Sequence, residues 1–141
     1  MGQFILNMGG IELITRVIIA HIHGTDQVEV FSADLAKRIG YLRKRFPRVD
    51  PVAHKKAMTT LGVAEKHAAF RNIIAHGTVI LASSPNGTPR ALGIVNVTPK
   101  DRSNLFTIVS LEELRGRVNE SAAVLKELLE MQAAFRTPNS D

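Results

Sequence analysis

The residues best equipped for chemistry lie in Phe70-Arg71-Asn72-Ile73-Ile74-Ala75-His76-Gly77. This run sets a permanent cation, an amide and an imidazole at the end of an otherwise apolar helical pattern, just before a glycine. A guanidinium can grip phosphate oxygens two at a time, and an imidazole titrates near neutral pH, where it serves as base or acid. Together they suit phosphodiester cleavage that requires no metal.

On a helix, Asn72 and His76 are four apart and share a face, while Arg71 and His76 are separated by about 140°. Arginine is long and the helix unwinds at Gly77, so both can still reach one cleft. In RNA cleavage a base takes the 2′-hydroxyl proton, that oxygen attacks the adjacent phosphorus, and an acid protonates the departing 5′-oxygen. Arg71 would hold the phosphate and the charge developing on it, Asn72 would position the phosphate or fix a histidine tautomer, and His76 would be base or acid. The competing reading is structural: Arg71 and His76 complement the helix dipole and its last carbonyls, and Asn72 bonds a neighbouring loop.

Other candidates rank lower. Glu12 and Arg16 are four apart and are read as a local pair, with Glu12 orienting Arg71 as the alternative. His67 lies four before Arg71 and is read, like His54, as a surface residue that can at most support the same cleft. His21 and His23 do not share a helix face, so no metal site is expected there. Met8, Met58 and Met131 read as core filler. A basic run follows: Lys37, Arg38, Arg43, Lys44 and Arg45, with Arg48 beyond, place six of the 18 basic residues within twelve positions. It reads as a solvated helix face, with an RNA- or phosphate-binding surface as the alternative.

These groups sit in one domain, which 141 residues can build with a real core. A hydrophobic fraction of 45% and a charged fraction of 22% are those of an ordinary globular chain. The absence of cysteine excludes disulfides, thiolate nucleophiles and Cys-based zinc sites. A net charge of +5 favours anionic partners, nucleic acid above all. The six Phe and one Tyr are scattered, so no base-stacking platform is signalled. No Walker-type loop, Gly-x-Ser-x-Gly elbow or paired-carboxylate arrangement stands out. No cofactor is expected.

The apolar run from Phe4 to Ile22 is interrupted by Asn7, Glu12, Thr15 and Arg16, and lacks a basic leader and a clean cleavage site. It reads as a buried helix of a soluble cytoplasmic protein with no membrane attachment. Phe4, Met8, Ile11, Thr15, Ile18 and Ile22 line one face, Leu6, Leu13 and Val17 widen it, and Gly9-Gly10 is the candidate for its true start. A second helix has Ser32 as N-cap, Leu35, Ile39, Leu42 and Phe46 inside, and Pro47 as stop. Asp50-Pro51 opens a third helix running to His76, with Gly62 as the point where it would bend or break and Gly77 as its left-handed end. Short strands are predicted over 78–82, 91–97 and 105–109, joined by an Asn86-Gly87 turn and a polar turn over 98–104. Ser110-Leu111-Glu112-Glu113 is a capping box opening a last helix with Leu111, Leu114, Val118, Ala122, Leu125 and Leu129 inside and Glu127 and Glu130 outside. The expected fold is mainly all-α: one domain over 1–136, a four- to five-helix antiparallel bundle with a β-hairpin or meander over 78–109, and a tail over 137–141.

Arg71-Asn72-x-x-x-His76-Gly77 closing a helix in such a bundle resembles the HEPN superfamily, whose signature is an arginine, a polar residue and a histidine four to six residues on. Ala75 and Gly77 fit that company; the strand-like 78–109 segment is not part of the family core. The resemblance implies a metal-independent endoribonuclease, commonly a homodimer whose two motifs meet across a shared cleft so that facing histidines divide acid and base roles. It also implies a toxin with an antitoxin partner, or a defence component. Other members are non-catalytic modules that bind RNA, a nucleotide or a protein. A purely structural helical dimer is the remaining possibility. Dimerisation is expected through the apolar first or last helix.

Overall fold

A computed structural model of the protein describes residues 1–24, 33–96 and 106–136. Ser32, the polar turn over 98–104 and the tail over 137–141 lie outside the described residues. The described chain is mostly helical: α1 (Gly2–His23), α2 (Leu35–Arg45), α3 (Pro51–His76) and α4 (Leu111–Arg136), with β1 (Gly77–Ser83), β2 (Pro89–Asn96) and β3 (Phe106–Ser110) between the last two helices. The strands form a meander of order β1-β2-β3, antiparallel throughout.

Local chemistry sets the boundaries. Asp34 caps α2 by accepting from the Lys37 amide at 2.8 Å. Asp50 accepts from the Val52 and Ala53 amides, with Pro51 filling the first turn, where a missing amide costs nothing. The Ser110 hydroxyl accepts from the Glu113 amide at 3.0 Å, one half of the capping box, while the Glu113 carboxylate accepts from Arg117 at 2.7 Å.

Several expectations are corrected. Helix α1 runs unbroken from Gly2 through Gly9-Gly10. At Gly10 the α4 helix comes so close that an added Cβ would lie 2.8 Å from the Leu125 side chain. Gly62 leaves α3 uninterrupted. Gly77 has φ −102° and ψ 156°, so α3 passes straight into β1 with no left-handed cap. Among the described residues, positive φ falls instead at Gly24, at 74° after α1, and at Gly87, at 78° in the turn between β1 and β2.

Helices α1 and α4 pack side by side. Phe4, Met8, Ile11, Ile14, Ile18 and Ile19 join the core, but Leu6 and Leu13, read as widening that buried face, are 70% and 61% exposed. The inner face of α4 is also turned from the expected one: Leu114, Ser121, Val124, Leu128 and Gln132 are buried, while Ala122 and Leu129 are exposed. A polar pair accounts for the rotation. Asn7 donates to the Ser121 hydroxyl at 3.0 Å and to the Val118 carbonyl at 3.2 Å, locking a buried amide between the two helices.

By length and composition α1 could cross a membrane, and 39% of its apolar window is buried in this fold. Its Asn7 and Thr15 are buried inside the domain, an arrangement compatible with a soluble protein. The sheet packs against the helices through Leu92, Ile94 and Val109, so α3 and β1 form one continuous run and the motif lies at their junction.

Candidate functional site

Arg71 and Asn72 sit one turn before the end of α3 and line a cleft of about 250 Å³ between α1, the start of α2, and α3. Glu12 and Arg16 from α1, and Asp34 and Arg38 from α2, complete its charged lining. Glu12 Oε1 lies 3.5 Å from Arg71 Nη2, an ion pair between α1 and α3. Glu12 is therefore placed to orient Arg71, the reading held beside a local pair with Arg16. The Arg71 guanidinium also donates to the Asn72 side-chain oxygen at 3.4 Å.

Arg38 departs most from expectation. Read as part of an outer basic face, it is 1% exposed. Its Nε donates to the Thr15 hydroxyl at 3.4 Å, and Nη1 donates to the Ala33 carbonyl. Leu35, Arg38, Ile39 and Leu42 follow the i, i+3, i+4, i+7 spacing of a buried stripe, so the position was visible in the spacing although the residue type concealed it. Burial, and after it the like charge of Arg16, lower the Arg38 pKa; Glu12 and Asp34 partly offset this. Among the described residues, three guanidinium groups thus face two carboxylates around the cleft.

The other basic residues of α2 divide between two surfaces. Arg43 pairs with Glu65 on α3 at 2.8 Å. Lys37, Lys44 and Arg45 border a shallow open depression with Tyr41, where the Arg45 guanidinium stacks 4.4 Å above the Tyr41 ring. The start of α2 therefore stands beside the motif, and the rest of its charge does not.

His76 is exposed at the last position of α3 and does not line the cleft that holds Arg71 and Asn72. It lies one turn beyond Asn72, about 6 Å along the helix axis and on the same side.

His67 is not a surface residue. It is 2% exposed, packed edge-on against Phe4 with ring centroids 5.8 Å apart, and lies outside the Arg71 cleft. Its Nε2 is 3.4 Å from the Glu120 carboxylate, yet neither ring nitrogen makes a hydrogen bond. Burial holds its pKa below the ordinary histidine range; Glu120 pulls the other way and Arg117 adds to the lowering. Like Arg38, it lies within a buried stripe, here with Leu61, Ala64 and Ala68.

His21 is exposed with its ring nitrogen 2.7 Å from the Val17 carbonyl, and His54 lies 3.2 Å from the Pro47 carbonyl. Among the described residues no group of three or more His, Asp or Glu side chains is placed to hold a metal ion. Compared with known protein families, curated proteins and solved structures, the chain finds no match.

Proposed function

We propose that this protein binds RNA through the cleft of Arg71 and Asn72 and cleaves it without metal, using His76, as an endoribonuclease of HEPN type. The observation that carries this reading is the common cleft of Arg71 and Asn72, with more guanidinium groups than carboxylates among its described lining residues and with Glu12 facing the arginine. A phosphate entering there meets the fork of Arg71 in place of water, and the guanidinium stabilises charge developing on phosphorus. An RNA strand laid along the end of α3 from this cleft passes over His76, which removes the 2′-hydroxyl proton. The O2′–P bond forms as the P–O5′ bond breaks, and the 5′-oxygen takes its proton from solvent. The products are a 2′,3′-cyclic phosphate and a 5′-hydroxyl.

A second reading has a specific observation in its favour. His76 stands outside the cleft, which suits a non-catalytic module holding RNA, a nucleotide or a protein partner through Arg71 and Asn72. A role as a toxin with an antitoxin partner, or in defence, rests on the family resemblance. The two readings separate when purified protein is incubated with a mixed RNA pool in EDTA. Cleavage to cyclic-phosphate ends is the result expected of the nuclease; retention of intact RNA is that of the module.

A further inference from the structure

Arg38 is a buried cation, 1% exposed, and among the described residues no carboxylate lies within ion-pair reach of its guanidinium. A charge taken out of water in this way is costly unless something pairs with it. Glu12 and Asp34 act on it from farther off, against the like charge of Arg16.

The hydrogen bonds of Arg38 hold the group without neutralising it. Nε donates to the Thr15 hydroxyl on α1, and Nη1 donates to the Ala33 carbonyl just before α2. The Thr15 hydroxyl in turn donates to the Glu12 carbonyl at 3.0 Å, which anchors it to its own helix. A guanidinium is planar, so two bonded nitrogens fix the direction of the third. That third nitrogen, Nη2, makes no hydrogen bond among the described residues.

Beside this group lies the cleft. Arg38 lines it together with Arg16 and Arg71, and so do Leu35 and Ala36, the first two residues of α2. The first amides of a helix have no partner within it and favour an anion. Asp34 satisfies one of them, the Lys37 amide at 2.8 Å. Like charges gathered round one cavity repel unless an anion sits among them.

We propose that Arg38 is a second anion-binding group of this cleft, seating a phosphate group between its Nη2, Arg71 and the first amides of α2. The ligand class is a tetrahedral phosphate, either a phosphodiester within an RNA strand or the terminal phosphate of an oligonucleotide. This seat rests on the reading of the cleft as a phosphate site and not on cleavage at His76. The two arginine forks present parallel donors to the phosphate oxygens, and the phosphate supplies the charge partner that Arg38 lacks.

Thermal unfolding of the full chain in inorganic phosphate, against chloride at equal ionic strength, tests the seat. The wild type should gain about 3–6 °C at roughly ten times the dissociation constant, in a saturating curve that chloride does not reproduce. Arg38→Met removes the buried charge, so in chloride it should melt no lower than the wild type, and phosphate should add nothing. Arg38→Lys covers the case of an unfolded Met variant: it keeps the charge without the fork, and phosphate should bind it about tenfold more weakly. A wild type that gains nothing overturns the proposal, as does an Arg38→Met variant that gains as much as the wild type.

RNA binding measured in parallel separates the seat from the reading beneath it. Binding lost in Arg71→Ala but unchanged in Arg38→Met overturns the seat and leaves the cleft as an RNA site. Binding unchanged in both variants overturns both. Oligoribonucleotides ending in a 5′-hydroxyl or a 5′-phosphate assign the source. Tighter, Arg38-dependent binding of the phosphorylated end supports a terminal phosphate in the seat, and equal Arg38-dependent binding supports an internal one.

Discussion

Glu12 on α1 and Arg71 on α3 face each other at 3.5 Å across the cleft, 59 positions apart in sequence. The pair holds the arginine of the motif in place before any phosphate arrives and partly neutralises it. Both side chains are partly exposed, so the pair contributes little to stability. Glu12→Gln should leave the melting temperature nearly unchanged and tighten RNA binding several-fold at low salt, because it removes one of two carboxylates from the cleft. Fluorescence anisotropy with a labelled oligoribonucleotide reads this directly; weaker binding would mean that the hold of Glu12 on Arg71 outweighs the negative charge it brings.

His67 makes stability depend on pH. Burial lowers its pKa in the folded protein, so the unfolded chain takes up a proton that the fold refuses. This group therefore costs nothing above the unfolded pKa of about 6.5, and stability falls as the pH drops through that value toward the lower folded pKa. The charged groups facing it are Glu120 and Arg117 on α4. His67→Leu should flatten this acid limb. At pH 7.5 it should be neutral, or stabilising by about 1 kcal/mol, since it removes two buried nitrogens without hydrogen bonds. Chemical denaturation at several pH values measures both effects.

The two sides of α1 should respond oppositely to substitution. Ile11 is fully buried and Leu13 is 61% exposed. Ile11→Ala should cost about 2–5 kcal/mol, and Leu13→Gln no more than about 0.5 kcal/mol. Comparable losses at both positions, measured by urea titration, would contradict the packing of α1 on α4.

The Asn7–Ser121 bond should behave as a unit. Asn7→Ala removes the amide that donates to the Ser121 hydroxyl and the Val118 carbonyl, leaves Ser121 only its own bond to that carbonyl, and should cost about 1–3 kcal/mol, whereas replacing both by apolar residues should recover part of that loss. A double-mutant cycle with no coupling would show that the bond does not set the rotation of α4.

Much of this was legible in the sequence because it is local. Asp50-Pro51 starts α3, Pro47 follows the end of α2, Asn86-Gly87 makes the turn, and the strand runs are β-branched. Arg71 and Asn72 at the end of a helix could be read in the same way. Contacts between elements were less accessible. Arg38 and His67 occupy buried stripes that periodicity marks, but their polar side chains suggested solvent. The α4 face is set by Ser121 bonding to a residue more than a hundred positions away, where hydropathy alone favoured Ala122 and Leu129. Leu6 and Leu13 are apolar yet exposed because the described helices pack against the other side of α1. That Glu12 faces Arg71 depends on where α3 passes.

The most direct test of the functional claim compares wild type, Arg71→Ala and His76→Ala on the same RNA pool in EDTA, with binding and cleavage read separately. His76 is exposed at a helix end, so its replacement should leave the fold intact. The expected result is RNA binding retained and cleavage lost in His76→Ala, both lost in Arg71→Ala, and cyclic-phosphate ends from the wild type alone. Undiminished cleavage by His76→Ala, or an inactive wild type that binds RNA through Arg71, would contradict the nuclease.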